Sequence, residues 1–114
     1  MNAGLQITQT SAYTLHELSS PTGLVVREYV SSAGKIFGIA WQGPTPPDLQ
    51  QLLGSYFQKY QQAAQAQNHR GGHAPLVIQG PDLVVTLQGH MRAFSGHAYL
   101  PDQLPEGVHA EDIR

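Results

Sequence analysis

The sequence predicts an α+β domain: an antiparallel sheet of about five strands, in β-β-β-α-β-β order, with one long amphipathic helix packed on one face. Three observations carry this. Between Thr45 and Gln67, Leu49, Leu52, Leu53, Tyr56, Phe57, Tyr60, Ala63 and Ala64 recur at three- and four-residue intervals, which is one apolar stripe of a helix. On both sides of it lie short alternating segments rich in branched and aromatic residues, the pattern of half-buried strands. The segments are separated by short turn clusters, which join antiparallel neighbours.

Residues 1–11 are polar and without period, so they are expected as a flexible N-terminal arm ahead of a single α+β domain over 12–114. Strands follow over Tyr13–Leu18, Val25–Val30 and Ile36–Trp41, with turns at Ser20-Pro21-Thr22-Gly23 and Ser31-Ser32-Ala33-Gly34. Gly43-Pro44 ends the third. Thr45 is placed to cap the helix, Pro46 suits its first position, and Asp48 meets the positive end of the helix dipole. Beyond Asn68 the run His69-Arg70-Gly71-Gly72-His73 reads as a loop. Leu76–Ile78 is a short strand, Gly80-Pro81-Asp82 a turn, and Leu83–Leu87 with Met91–Leu100 a hairpin around Gln88-Gly89-His90. Pro101–Arg114 is an irregular tail draped on the domain.

Composition removes several function classes. The chain has 114 residues, enough for one core without metal or disulfide staples. Only 12% of residues are charged and the net charge is −2, with six scattered basic residues, so a nucleic-acid footprint is not expected. No apolar run is long enough for a membrane-spanning helix. There is no cysteine, which excludes thiolate catalysis and Cys-based zinc sites.

Six histidines are the main candidates for chemistry. His69 and His73 have the four-residue spacing that suits zinc on a helix, but two glycines between them favour a solvated loop. His90 and His97 are seven apart, which on one continuous strand sends them to opposite faces unless Gly96 makes a bulge. His69, His73, His90 and His97 are thus weak metal candidates, and no cofactor is expected. His16 is placed to pair across the strands with Arg27 or Glu28. Nucleophile motifs are missing: Gly54-Ser55 lies within the helix, and Ser95 and His97 sit too close on one strand to form a catalytic pair. His90, Arg92, Tyr13 and Tyr60 are the residues picked out for an interaction surface.

Strings such as Ala40-Trp41-Gln42-Gly43-Pro44-Thr45, Leu52-Leu53-Gly54-Ser55-Tyr56-Phe57 and Gly89-His90-Met91-Arg92-Ala93-Phe94 resemble the bacterial family termed domain of unknown function 2844. The likeness extends from about Ala12 to the C-terminus. It implies a small exported protein of proteobacteria, periplasmic or secreted, with a signal peptide ahead of the segment present here and Met1 as a non-native start. It brings no catalytic residue or cofactor. The expected function is a non-enzymatic interaction module that holds a protein or envelope component at a sheet edge or face, with Tyr13–Leu18 as a candidate edge strand. The alternative is a metal- or small-ligand-binding protein using the Gly-His loop and the His90 region.

Overall fold

The computed structural model describes residues 4–44, 48–66, 76–80, 82–90 and 93–113. It is an α+β fold with a seven-stranded, wholly antiparallel sheet. The strands are β1 (Gly4–Gln9), β2 (Tyr13–Ser19), β3 (Val25–Ser31), β4 (Ile36–Gly43), β5 (Leu76–Gln79), β6 (Val84–His90) and β7 (Ala93–Tyr99). Their spatial order is β1-β2-β3-β4-β7-β6-β5. Two strands exceed the expected five. One is β5, the short strand read over Leu76–Ile78 and left out of that count; the other is β1, which occupies most of the stretch read as a flexible arm. Leu5 and Ile7 alternate with Gln6 and Thr8 there, and a turn built on a hydroxyl rather than on Gly or Pro makes the hairpin. Thr10 Oγ1 accepts from the backbone N–H groups of Ala12 (3.2 Å) and Tyr13 (3.0 Å), closing the turn into β2.

Asp48 caps the helix; Thr45 and Pro46, expected as its cap and first position, lie outside the described residues. Asp48 Oδ1 accepts from Gln50 N at 3.1 Å and Gln51 N at 3.4 Å. The helical layer is contiguous but articulated: α1 (Leu49–Leu53), a 3₁₀ turn (Gly54–Tyr56) and α2 (Phe57–Ala66). The joint is Gly54, at φ 56° and ψ −126°, a conformation that side chains disfavour. It turns Tyr56 outward, leaving it 36% exposed. The other seven stripe residues pack against the sheet.

The sheet is covered in two places, on opposite faces. On one face, α1 and α2 bury Ile39 and Trp41 of β4, Ile78 of β5, Val85 of β6 and Ala98 of β7. On the other, the C-terminal tail lays Val108 and Ile113 over Tyr29, Phe37 and Ala40. The tail forms two 3₁₀ turns, Pro101–Gln103 and Ala110–Asp112, the second held by Asp112 Oδ2 accepting from His109 N at 2.9 Å. A bulge between Tyr29 and Val30 lets Phe37 join the tail's face, where its ring meets those of Tyr13 and Tyr29 at 6.2 Å between centroids.

Glycine makes both covers fit. A Cβ on Gly96 would lie 2.5 Å from the Trp41 ring and from the Thr86 carbonyl, so the indole lies across a strand that has no side chain there. A Cβ on Gly38 would meet Ile113 Cδ1 at 2.6 Å, so the tail's last anchor seats directly on backbone.

Candidate functional site

Among the described residues, nothing covers two diagonal quadrants of the sheet, one on each face. The first is the β1–β2 border on the helix's face. The pairings Leu5↔Leu18↔Val26↔Trp41 carry one row from the open edge into the core. Trp41 is buried and Leu18 half-buried, while Leu5 and Ile7 are 61% and 59% exposed. All six residues of β1 are exposed, and among the described residues no strand pairs with its outer side. In the neighbouring row Ile7 pairs with His16, whose Nδ1 lies 4.0 Å from Glu28 Oε1. The expected cross-strand pair is thus formed with Glu28, while Arg27 donates from Nε to Glu17 at 2.7 Å on the opposite face.

The second is a polar bay on the tail's face. The row Glu17–Arg27–Ala40–His97–Thr86 runs across it, and Gln42, Ser95 and Gln88 form the next row. Ala40 is small and buried, so the row dips between Arg27 and His97, and the bay has a volume of about 290 Å³. Burial pushes the His97 imidazole below its ordinary pKa of 6.5, so the ring is neutral at pH 7 and offers one donor and one acceptor. Ser95 and His97 share this face two residues apart on β7, roughly 6.6 Å between Cα atoms, and no hydrogen bond joins their side chains. The nearest acid across the row, Glu17, is held by Arg27. The bay can offer hydrogen bonds to a polar molecule; it has no assembled nucleophile.

A third concavity, apolar and about 300 Å³, opens beside the Gly54 joint among Leu52, Tyr56, Ile36, Tyr99 and Leu100. It is the gap that the articulated helix leaves above the ends of β4 and β7.

The residues named from sequence are dispersed. The Tyr13 ring lies tilted against Tyr29, 5.4 Å between centroids, in the tail-side cluster, and Tyr60 stacks 5.7 Å from Phe57 under the helix, so both rings take part in packing. Tyr13–Ser19 is an internal strand between β1 and β3, so the edge expected there belongs to β1. His97 lies in the bay. His90 pairs with Ala93 at the far end of the β6–β7 ladder, four register positions from His97, or roughly 13 Å. The two histidines sit on different strands, because the chain reverses after His90 rather than continuing, so the parity argument for one strand does not apply. His69, His73 and Arg92 lie outside the described residues. Among the described residues no three histidine or acidic side chains converge to hold a metal ion. Asp82 is paired with the Lys59 ammonium of α2. The edge that sequence reasoning missed did carry a signal: the alternation Leu5, Ile7 after Gly4 in a stretch without charge.

The family described as "Protein of unknown function (DUF2844)" matches residues 2–113. The chain belongs to this family. The match takes in both β1 and the tail down to Ile113, so the open edge and the second cover are parts of the family's unit. No curated protein and no solved structure matches the chain. No described helix is long and apolar enough to cross a membrane.

Proposed function

We propose that this protein is a small, exported, non-enzymatic interaction module of the bacterial envelope, and that β1 is its docking element. The observation that carries the reading is the state of that edge. Natural sheets blunt exposed edges with lysine, proline, bulges or a covering segment. Over Gly4–Gln9 the chain has no charge, no proline and no bulge, and it presents Leu5 and Ile7 beside an unused backbone ladder. Strand addition to such an edge draws affinity from main-chain hydrogen bonds and specificity from alternate side chains. The test is a crosslinking pull-down with tagged protein in its native host, comparing wild type with Ile7→Lys. One dominant envelope or secreted partner, lost in the variant, is expected. Identical capture by both proteins would remove β1 as the docking element.

A small-ligand protein is the second reading, and one observation favours it. The bay groups Gln42, Thr86, Gln88, Ser95 and a neutral His97 on one concave surface, with His90 two positions beyond Gln88 on β6. Titration with divalent metals and with neutral polar ligands, followed through His97 resonances, tests it. Unmoved resonances across the series exclude it.

A further inference from the structure

We propose that the partner strand at β1 is supplied by a second copy of this chain, the two β1 strands pairing antiparallel about a two-fold axis through Gln6. The inference rests on β1 being the docking element and names what docks there.

The two edges of the sheet differ. β5 is packed against α2, whereas among the described residues β1 pairs with β2 alone and ends the sheet. In an isologous pairing every side chain near the axis meets its own kind, so a charged strand repels itself. β1 escapes this: no Lys, Arg, Asp or Glu occurs before Glu17. The same lack of charge leaves nothing on the strand to select an acidic or basic partner.

Parity then restricts the register. Two antiparallel edges related by a two-fold axis share faces, so the axis must pass through a residue. With the axis at Gln6, Leu5 lies opposite the second copy's Ile7 and Ile7 opposite its Leu5, while Gly4 lies opposite Thr8. The two large exposed apolar side chains of β1 therefore cover each other twice. With the axis at Ile7, Leu5 would face Gln9, and one of these contacts is lost. The Gln6 register also joins the two sheets into one, continuing the row that starts at Leu5 into its mate.

Size sets the strength. A standard interface engages about 20–30 residues a side. In this register the paired strands contribute only Gly4–Thr8 each, so the dimer is concentration-dependent and weaker than about 1 μM.

The experiment uses the whole chain. Sedimentation over about 10 μM to about 1 mM should show the mass rising from 12.4 kDa toward twice that value. Ile7→Lys should hold it at the monomer, with thermal unfolding nearly unchanged because Ile7 is exposed. The chain has no cysteine, so single thiols report the register cleanly. Gln6→Cys places two thiols on residues about 5 Å apart between Cα atoms, within disulfide range. It should oxidise to a dimer about 10-fold faster than Thr22→Cys in the exposed β2–β3 turn. Equal rates, or faster crosslinking of Ile7→Cys than of Gln6→Cys, would overturn the proposed register. A mass fixed at the monomer throughout would overturn self-association. If the host pull-down still loses a different protein with Ile7→Lys, the docking role of β1 stands and only the identity of its partner is refuted.

Discussion

The two covers of this sheet accomplish the same burial by different means. On one face a helical stripe inserts seven side chains over β4, β7, β6 and β5. On the other an irregular tail places Val108 and Ile113 over Tyr29, Phe37 and Ala40. The helix spreads its contribution, at roughly 1.5–3 kcal/mol for each large side chain fully buried, whereas the tail concentrates it in two anchors. A stripe tolerates the loss of one contact better than a two-point attachment does. The comparison predicts that damage beneath the helix acts on the whole fold, while damage at the tail uncovers one face.

Gly96→Ala should be the most costly change. Its new Cβ meets the Trp41 ring and a backbone carbonyl at once, so β6 and β7 must separate, and we expect about 3 kcal/mol or more by urea unfolding. Ile113→Ala should cost about 2 kcal/mol, the low end for an isoleucine, because the irregular segment that carries it can settle into the space. The comparison sharpens with Gly38→Ala, which should cost between about 1 and 3 kcal/mol alone and much less in the Ile113→Ala background, since the clash is with Ile113 Cδ1. Additive losses would show that Ile113 does not seat on Gly38. Asp48→Ala, which removes the helix cap, should cost about 1 kcal/mol, and a chemical-denaturation midpoint equal to wild type would discount the cap.

The smallest effect expected is pH-dependent and lies on the tail's face. Burial lowers the pKa of His97 in the folded chain, so the unfolded chain binds a proton first as pH falls. The contribution of His97 is constant well above its ordinary 6.5 and declines as pH drops through that value toward the folded one. His97→Gln should flatten the stability profile between about pH 7.5 and about pH 5 relative to wild type. Parallel profiles would place the titration elsewhere.

How far the sequence discloses this structure follows the same division. The helix stripe, β2, β3, β4 and the last hairpin are visible because periodicity reports a buried face. The tail is visible only as a segment draped on the domain; its anchors are not, because Val108 and Ile113 have no period and their partners include glycine, alanine and a bulged phenylalanine. β1 was hidden by a turn that uses the Thr10 hydroxyl where glycine or proline would have announced it. The helix break at Gly54 was hidden for the opposite reason: a single glycine is common enough inside a helix that the stripe around it dominates. Of the candidate site, only the alternation of Leu5 and Ile7 was available. The bay was not, since it is assembled from β2, β3, β4, β6 and β7, which only the sheet order brings together.

The seam between β4 and β7 has a kinetic meaning. β1 through β4 form a meander of successive hairpins, and β5 through β7 form another, so each half is assembled from neighbours in sequence. Ala40 and His97 pair across half the length of the chain, so this is the longest loop closed within the sheet, and its closure entropy must be met before any contact across the seam offsets it. Both covers straddle this closure: Trp41 crosses it above Gly96, and Ile113 arrives only after β7 is in place. The transition state for folding should therefore be the docking of two preformed meanders, with Trp41 already engaged and the tail still free. Substitutions at Trp41 should slow refolding, and those at Ile113 should instead speed unfolding. The reverse assignment in a chevron analysis would place tail closure first.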